Sequence, residues 1–410
     1  SIIIAIPTLK GSKLNHVIDL CVSTHCAVQL LSDPQLVGSG TPQQGAFREL
    51  NPADFLSRDE VTLDTDQISG YLTGKTVLVT GGGGSIGSEL CRQVMRFKPG
   101  KLLIFDIYEN CAYELLMELQ QKYGRDIPVT VLIGSIRDKK RLDEVFETYH
   151  PTVVFHAAAH KHVPLMEVSP AEAVKNNVLG TKNLLVSASE HDVERFVQLS
   201  TDKAVNPTSV MGCTKRICEM LIQTFAGNTD MKCVAVRFGN VLGSHGSVIP
   251  LFEAQIKKGG PVTLTDPNIE RYFMTIPEAA QLVLQAGALA ESGNIYVLDM
   301  GEPVKIMDLA KQLIRFYGYE PGVNMEIKIV GLRPGEKLYE ELMMDEEQDK
   351  MRRTQHNKIF VASPRSIDLA EFYGQLQELA AAAEHNDEGV VQQLAKMIPT
   401  FTPTRQNLKL

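Results

Sequence analysis

The sequence lacks three features that would each indicate a class of protein. No apolar run reaches the roughly 18 residues needed to cross a bilayer. The seven cysteines show no CxxC or Cys/His spacing typical of a metal site, and their odd number predicts reduced thiols in a cytoplasmic compartment. Positive charge is not in excess, because 41 Lys and Arg stand against 49 Asp and Glu, a net charge of −8. These absences argue against a nucleic-acid-binding protein and a metal site, and leave room for a local basic pocket for a small anion.

The chain also begins without a Met and without a signal peptide, directly on an apolar run at residues 1–7. We therefore expect residue 1 to lie inside a longer protein. Residues 1–70 are predicted to be a partial Rossmann-like α/β unit followed by a linker, with a strand at 2–6 and a helix at 16–26.

From residue 75 onward, short β-rich runs alternate with helical periods. Strands separated by helices imply right-handed crossovers and a parallel, doubly wound α/β sheet. The runs predicted to be strands are 76–80, 102–106, 129–134, 152–156, 196–200, 233–237 and 295–299. We therefore predict a dinucleotide-binding Rossmann domain over 71–240, completed by a strand at 293–300. The Gly- and Pro-rich insertion 241–292 and the region 301–400 are predicted to form a smaller substrate-binding part.

A glycine-rich turn follows the first predicted strand. The segment Thr80-Gly81-Gly82-Gly83-Gly84-Ser85-Ile86-Gly87 leads into a helix that begins near Ser85. Gly81, Gly84 and Gly87 let the backbone approach a pyrophosphate, which then lies at the helix N-terminus beside Ser85 and Ile86. Asp106 ends the next strand, about 20 residues beyond the last glycine, where a carboxylate holds a ribose diol and repels a 2′-phosphate. The pattern predicts a site for NAD rather than NADP.

A second group of reactive side chains follows the predicted strand 196–200. Thr201, Asp202 and Lys203 bring a hydroxyl, an acid and a base to the carboxyl edge of a parallel sheet, which faces the ligand crevice. At this point a surface turn with a local ion pair explains the same residues equally well. Met211 and Lys215 follow at the start of a helix, one turn apart and on the same face.

With these motifs the chain resembles the extended short-chain dehydrogenase/reductase superfamily, which carries TGxxGxxG at the first turn and Tyr-x-x-x-Lys at the position of Met211 and Lys215. Met211 can neither donate nor accept a proton, so the usual base for an alcohol is absent. Four further motifs are similar to the UDP-N-acetylglucosamine 4,6-dehydratases of bacterial polysaccharide and protein-glycan synthesis. They are His156-Ala-Ala-Ala-His160-Lys161-His162-Val163-Pro164, Ser200-Thr-Asp-Lys203, Arg237-Phe-Gly-Asn240-Val-Leu-Gly and Gly331-Leu-Arg-Pro-Gly-Glu-Lys-Leu338. The larger, membrane-anchored members of that family carry Met in place of Tyr, and the resemblance to this subgroup extends from residue 1 to about 360.

The resemblance implies a reaction, a location and an assembly. Hydride leaves C4 of UDP-N-acetylglucosamine for NAD, the C5 proton and C6 hydroxyl are eliminated, and the hydride returns to C6, with retention at C5. Membrane helices and the front of a first Rossmann-like domain would precede residue 1, on the cytoplasmic side of a bacterial inner membrane. A homo-oligomer is expected, because helices flanking the sheet often pair across dimers in this superfamily.

The resemblance also implies roles for the reactive side chains. Lys203 would be the C5 base and Asp202 the acid toward the C6 hydroxyl, while Thr201 would hydrogen-bond the C4 oxygen. Lys215 would contact the nicotinamide ribose. The acceptor of the C4 hydroxyl proton is open between bound water and Asp202 acting through Thr201. A basic Lys203 needs a lowered pKa, which burial and the neighbouring cations Lys161 or Lys215 would provide.

The remaining site residues are implied by the same resemblance, and no metal is implied. Cofactor contacts are expected from Ile136, Ala157, Ala158, Ala159, Asn176 and Ser200. Contacts with the UDP-sugar are expected from Lys161, His162, Asn240, Thr263, Arg271, Arg333 and Glu336. The two arginines would bind the diphosphate, for which cationic forks are suited.

Two alternatives to this function remain open from the sequence. Another nucleotide-sugar enzyme, either a C5-inverting dehydratase or a 4-epimerase, would use the same cofactor. An epimerase needs no elimination pair and would lack its Tyr. A catalytically silent NAD-sensing module would bind NAD without converting a UDP-sugar, and would leave Asp202, Lys203 and the paired arginines without a purpose.

Overall fold

The computed structural model describes residues 1–6, 11–22, 24, 26, 28–31, 47–50, 54, 61–362, 367–386 and 389–403. The strands are β1 (Ile2–Ile4), β2 (Val28–Leu31), β3 (Phe47–Glu49), β4 (Thr76–Thr80), β5 (Lys101–Asp106), β6 (Val129–Ile133), β7 (Val153–His156), β8 (Arg195–Thr201), β9 (Lys232–Phe238), β10 (Asn240–Val241), β11 (Val262–Leu264), β12 (Glu270–Arg271), β13 (Phe273–Met274), β14 (Ile295–Leu298), β15 (Val304–Lys305), β16 (Ile327–Ile329), β17 (Arg352–Arg353) and β18 (Ile359–Ala362). The α-helices are α1 (Gly11–Val22), α2 (Thr65–Leu72), α3 (Ser85–Arg96), α4 (Glu109–Tyr123), α5 (Lys139–Tyr149), α6 (Val163–Val168), α7 (Pro170–Ala173), α8 (Gly180–Glu190), α9 (Val210–Ala226), α10 (Val248–Lys257), α11 (Ile276–Ala288), α12 (Ile306–Phe316), α13 (Asp345–Gln348), α14 (Leu369–Glu384) and α15 (Val390–Met397).

The chain divides into two compact units. The sheet unit contains Thr62–Gly239, Pro277–Asp299 and Arg333–Leu410. The smaller unit contains Ser1–Val61, Asn240–Ile276 and Met300–Leu332. Each unit has its own hydrophobic core.

The sheet unit is built on one sheet with the strand order β17-β18-β14-β9-β8-β7-β4-β5-β6 among the described strands. The strands from β14 to β6 are parallel. Residues 77–79 and 102–104 are fully buried, because helices cover both faces of a doubly wound sheet and such strands are apolar throughout. The seven runs from 76–80 to 295–299 are each present as a strand within one residue of the expected ends, which confirms the predicted α/β fold.

The order of the sheet reverses between β4 and β7. Ligands of such folds bind at the carboxyl ends of the strands beside this switch point. Thr80 ends β4 and His156 ends β7, and Thr80 Oγ1 lies 2.7 Å from His156 Nδ1. β8, which leads into the predicted catalytic residues, is the next strand after β7. The residues predicted for the cofactor and for proton transfer therefore follow neighbouring strands at one edge of the sheet.

The C-terminal region departs from the boundaries drawn from the sequence. Those boundaries assign residues 301–400 to the substrate-binding part, whereas residues 333–410 belong to the sheet unit. The physical reason is that β18 pairs antiparallel with β14. In addition, Leu376 of α14 and Leu394 of α15 are buried in the same hydrophobic core as Ile217 of α9.

The smaller unit contains the described part of the first 61 residues. β1 and β2 are parallel, and β3 pairs antiparallel with β2. Ile18 of α1 shares a hydrophobic core with Leu309 and Leu313 of α12, and with Ile4 and Leu30 of the first two strands. Three two-stranded ladders, β10-β13, β11-β16 and β12-β15, complete the unit. Within the linker predicted before residue 71, positions 51–53 and 55–60 lie outside the described residues, whereas α2 begins at Thr65.

Among the helices that the structure describes, none combines the length and the apolar character needed to cross a bilayer.

Candidate active site

The turn from β4 to α3 brings the backbone unusually close to its neighbours. Gly81 has a φ of +66°, in the left-handed region, and a Cβ there would lie 2.6 Å from the backbone nitrogen of Ala158. A Cβ at Gly87 would overlap the carbonyl oxygen of Gly81. The N-cap of α3 is Gly84, which has no side chain to occupy the first N–H groups of the helix. This cradle of backbone at a helix N-terminus fits a pyrophosphate, and so fits NAD.

We expect Gly87→Ala to weaken NAD binding roughly 5- to 150-fold, because overpacking by one methyl costs about 1–3 kcal/mol. The methyl would meet the carbonyl oxygen of Gly81, which cannot rotate aside as a side chain does. Isothermal titration with NAD measures the change. Gly374→Ala in α14 is the control, because nothing lies within 4 Å of a Cβ at that position. An unchanged affinity in Gly87→Ala would contradict the role of this turn.

The carboxylate of Asp106, at the end of β5, is held by the backbone around it. Oδ2 accepts a hydrogen bond from Gly83 N–H at 2.8 Å, and Oδ1 accepts one from Tyr108 N–H at 2.9 Å. Each carboxylate oxygen has a second lone pair for a ribose hydroxyl. The negative charge disfavours a 2′-phosphate at the same place. The geometry of Asp106 thus fits the residue type and position predicted for NAD.

The loop after β7 carries several of the other predicted residues. Ala157 N–H donates to Thr80 O at 3.0 Å, which holds the segment of Ala157, Ala158 and Ala159 to the end of β4. Lys161 and His162 are both exposed. Loss of hydration lowers the pKa of Lys161, and the same effect together with the charge of Lys161 lowers the pKa of His162. Both side chains are therefore accessible and less readily protonated than usual.

A pair of asparagines, Asn176 and Asn177, lies on the following helical segment; the predicted cofactor contact of Asn176 stays a prediction. Residues Val174–Leu179 form a π-helical segment, a feature frequent at functional sites. Asn177 Oδ1 accepts from His160 N–H at 2.8 Å, and Asn177 Nδ2 donates to His160 O at 3.0 Å and to Thr214 Oγ1 at 3.1 Å. Asn176 donates to Asn177 Oδ1 at 3.2 Å. Asn177, which the sequence did not single out, thus ties the loop of His160 to α9.

Two further predicted cofactor residues are engaged within the sheet unit. Ile136 is buried, and a Cβ at Gly180 would lie 2.7 Å from its Cδ1, so this side chain packs against the start of α8. Ser200 Oγ donates to Glu219 Oε1 at 2.7 Å. The predicted contacts of Ile136 and Ser200 with the cofactor stay predictions.

The predicted acid and base are in direct contact. β8 ends at Thr201, and a short 3₁₀ turn, Asp202–Ala204, carries the next residues. Asp202 Oδ1 accepts from Thr201 Oγ1 at 2.8 Å and from Lys203 Nζ at 2.9 Å. Asp202 is fully buried, and its Oδ2 has no hydrogen-bond partner among the described residues. The Thr201 hydroxyl and the Lys203 ammonium group therefore both donate to the same buried carboxylate oxygen of Asp202.

A second carboxylate, which the sequence did not single out, lies beside Lys203. Glu340 Oε1 is 3.6 Å from Lys203 Nζ, and the side chains of Glu340 and Lys203 are 3% and 22% exposed. Two carboxylates stabilise the ammonium form of Lys203. The predicted effect of neighbouring cations such as Lys161 or Lys215 on Lys203 stays a prediction. Glu340 lies just beyond the motif that ends at Leu338, so no spacing signal distinguishes it.

Helix α9 carries Met211 and Lys215 as predicted. Lys215 Nζ donates to Leu199 O at 2.6 Å, and burial lowers the pKa of Lys215. Met211 is buried in the hydrophobic core of the sheet unit. A methionine offers no site for proton transfer, and the predicted roles of Thr201 and Asp202 stay predictions.

A network of buried, oppositely charged side chains contacts Ser200, near the end of β8. Arg237 and Glu219 are both fully buried and pair at 2.8 Å, and Arg237 pairs with Glu347 at 2.7 Å. Arg216 contacts Glu219 at 2.8 Å. Burial raises the pKa of Glu219, but the charge of Arg237 outweighs it and the pKa falls to about 2. Because Ser200 also donates to Glu219, the network is connected to the strand that carries the acid and base.

The predicted UDP-sugar residues are divided between the units. Arg333 and Glu336 belong to the sheet unit, where Arg333 N–H donates to Glu336 Oε2 at 3.1 Å. Asn240, Thr263 and Arg271 belong to the smaller unit. Contacts of these predicted residues are Asn240 N–H to Tyr272 O at 3.0 Å, Gln255 Nε2 to Thr263 Oγ1 at 2.7 Å and Arg271 NH1 to Glu270 O at 2.7 Å.

We expect the sheet unit to lose stability as the pH falls below about 6.5, because of His156. Burial, and then the charge of Lys215, lower the pKa of His156 from 6.5 to about 3. The unfolded chain takes up this proton below 6.5 and the folded chain does not until about 3, so each unit of pH in this interval removes up to about 1.4 kcal/mol. Urea unfolding at pH 7, 6 and 5 measures the slope.

His156→Gln should flatten that slope, whereas His385→Gln at an exposed helix end should leave it unchanged. A slope that is the same in His156→Gln and in the parent protein would contradict the assignment.

Comparison with known proteins places these features in a family. A family described as "polysaccharide biosynthesis protein" matches residues 77–364. The capsular polysaccharide biosynthesis protein CapD of Staphylococcus aureus is 54% identical over 345 residues, which are 83% of this chain and 57% of that protein. The chain thus spans little more than half the length of this relative. A UDP-N-acetylglucosamine 4,6-dehydratase (inverting) of Campylobacter jejuni is 34% identical over 65% of this chain and 76% of its own length.

A solved structure is similar as well. The X-ray structure of Pen from Bacillus thuringiensis has a TM-score of 0.66 and 34% identity, and the match covers 72% of this chain and 90% of that chain. It agrees with the doubly wound fold described above. The family match spans more than half of the sequence, including the glycine turn, the Thr201-Asp202-Lys203 cluster and α9. The chain belongs to the polysaccharide biosynthesis protein family.

Proposed function

We propose that this chain carries the active site of an NAD-dependent UDP-N-acetylglucosamine 4,6-dehydratase, which forms the 4-keto-6-deoxy sugar nucleotide with retention at C5. The observation that supports it most is the contact of Lys203 with Asp202 at 2.9 Å, at the carboxyl edge of the sheet. An elimination needs a base and an acid held close together. The similarity to a Campylobacter jejuni enzyme of this name supports the substrate class.

The glycine turn and Asp106 would hold the cofactor. Gly81, Gly84 and Gly87 leave room for the pyrophosphate at the start of α3, where Ser85 and Ile86 provide the first helical N–H groups. NAD held there would supply a hydride acceptor for C4 and a hydride donor for C6, so the reaction would need no external reductant.

Lys203 and Asp202 would perform the elimination between the two hydride transfers. The Lys203 amine takes the C5 proton, and the electrons of that bond form the C5–C6 double bond. The C6–O bond breaks, and Asp202 gives its proton to the departing oxygen, which leaves as water. Lys203 then returns a proton to C5. Before this step Lys203 must be a neutral amine and Asp202 a neutral acid. With Lys203 already deprotonated, Asp202 reaches the acid form by receiving the C4 hydroxyl proton.

The hydrogen bond from Thr201 to Asp202 supports a route for the C4 hydroxyl proton. Thr201 Oγ1 lies 2.8 Å from Asp202 Oδ1. A hydroxyl both donates and accepts, so Thr201 can take the C4 hydroxyl proton while passing its own to Asp202. The proton that Asp202 has received then leaves with the C6 oxygen as water. Every proton of the reaction is therefore accounted for without a tyrosine at position 211.

Incubation of the protein with UDP-N-acetylglucosamine tests the proposal. We expect the product to be lighter by one water in mass spectrometry, with a C4 ketone and a C6 methyl group in NMR. In heavy water, C5 should carry deuterium, and its configuration distinguishes retention from inversion. A product of unchanged mass would instead identify an epimerase. NAD binding without any product would identify a silent cofactor-sensing module and overturn the proposal.

A further inference from the structure

Glu340 is a buried carboxylate in contact with the proposed base, and the mechanism above does not use it. Its Oε1 lies 3.6 Å from Lys203 Nζ, and its side chain is 3% exposed. It belongs to a segment that is fixed to the loop after Lys203 at two points. Lys337 Nζ donates to Val205 O at 3.1 Å, and Thr208 Oγ1 donates to Gly335 O at 3.0 Å. These two hydrogen bonds hold the segment that carries Glu340 next to the loop after Lys203.

Two buried carboxylates contact the ammonium group of Lys203. One ammonium is shared by Asp202, which is fully buried, and by Glu340. A carboxylate within about 4–6 Å of an amine stabilises its protonated form, by roughly 1–3 pH units. The first carboxylate has a place in the elimination, since Asp202 must receive and release a proton. The second has none, and its burial beside a reacting amine needs another explanation.

We propose that Glu340 is a positioning residue for Lys203: its carboxylate holds the Nζ of Lys203 beside Asp202 and sets the pH range in which Lys203 gives up its proton. This proposal rests on the proposed function, because it assigns to Lys203 the role of the C5 base. The charge of Glu340 raises the proton affinity of the Lys203 amine. The neutral amine is therefore a stronger base, but it is populated only at a higher pH.

Other charged groups lie on the elements packed against this cluster. They are Glu167 on α6, Lys215, Arg216 and Glu219 on α9, and Glu336, Lys337 and Glu341 on the same segment as Glu340. Arg216 and Glu219 are paired with each other at 2.8 Å. Glu341 is paired with Lys337 at 3.0 Å, and its side chain is 48% exposed. Neither pair contains Glu340, so the substitution Glu340→Gln removes one charge beside Lys203 without removing a member of either pair.

The test measures the proton affinity of Lys203 in two independent ways. First, brief acetylation by acetic anhydride over a range of pH, read by mass spectrometry of the peptide that contains Lys203, reports the fraction of neutral amine without substrate. Second, the rate of C5 deuterium incorporation into UDP-N-acetylglucosamine over the same range reports the amine during the reaction. Both are measured in the parent protein, Glu340→Gln, Glu340→Asp and Glu341→Gln.

We expect both midpoints to move to lower pH by about one unit in Glu340→Gln, since the stabilising charge is lost. Glu340→Asp keeps the charge but draws it back by one methylene, so its midpoint should lie between those of the parent and Glu340→Gln. It carries the same test should Glu340→Gln fail to fold. Glu341→Gln is the matched control, and both of its midpoints should equal those of the parent protein.

Two outcomes would overturn the inference. One is an acetylation midpoint of Lys203 that is the same in the parent, Glu340→Gln and Glu340→Asp. The other is a loss of rate in Glu340→Gln that is equal at every pH, as a purely structural role would cause. Absence of dehydration by the parent protein, combined with a shifted acetylation midpoint, would refute the proposed function while supporting the positioning role of Glu340.

Discussion

Replacing Lys203 by Met is expected to lower the rate of dehydration by ~10²–10⁴-fold, the contribution typical of a general acid–base group. Met has a similar length and keeps the packing of the chain of methylenes, but it cannot accept the C5 proton. Because the amine also contacts Asp202 and Glu340, its loss removes a positive charge that both carboxylates contact. The measurement is product formation from UDP-N-acetylglucosamine, with C5 deuterium in heavy water read by NMR.

The matched control is Lys139→Met. It also removes a lysine that contacts two carboxylates, Asp143 at 2.6 Å and Glu190 at 3.0 Å, but Lys139 lies on α5 and not at the end of β8. We expect it to keep full activity. The NAD content of Lys203→Met should equal that of the parent protein, which separates loss of the base from loss of the cofactor. Normal deuterium incorporation at C5 in Lys203→Met would show that another group removes this proton.

Replacing Glu219 by Ala is expected to destabilise the sheet unit by about 3–5 kcal/mol, the usual effect of removing one partner from a buried ion pair. Arg237 has no solvent exposure and Arg216 is 6% exposed, so neither can recover its hydration when Glu219 is lost. Ser200 loses its acceptor as well. Urea unfolding followed by circular dichroism measures the change.

Glu118→Ala provides the comparison on the surface. Glu118 pairs with Arg92 at 2.7 Å, with exposures of 47% and 33%, and such pairs contribute about 0–1 kcal/mol. The double substitution of Glu219→Leu with Arg237→Met should be less destabilising than Glu219→Ala alone, because it leaves fewer buried charges unpaired. If Glu219→Ala and Glu118→Ala had equal effects, the buried network would not be a source of stability.

The parts of the site that follow directly from a strand could be predicted from the sequence. A parallel strand ends at the ligand edge of the sheet, so the residues after β4, β5 and β8 had to lie there. This reasoning covered the glycine turn, Asp106 and the contact of Asp202 with Lys203. It required only the period of the apolar runs, which is local information.

The parts that depend on distant residues could not be predicted in this way. Glu340 meets Lys203 across 137 positions of chain because a surface segment is fixed to the turn after β8, and no local pattern encodes that path. Asn177 contacts His160 and Thr214, which lie 17 and 37 positions away, and no local pattern encodes these contacts. A membrane anchor, a homo-oligomer and the individual UDP-sugar contacts stay predictions.

Asp106 has a structural role that does not depend on a bound nucleotide. Its two oxygens accept hydrogen bonds from the amides of Gly83 and Tyr108. The carboxylate predicted to favour NAD over NADP therefore also stabilises the conformation of the glycine turn. Replacing this residue alone to change the coenzyme preference would therefore also make the glycine turn more flexible. A successful redesign must supply a substitute acceptor for the Gly83 amide along with any new cation for the extra phosphate.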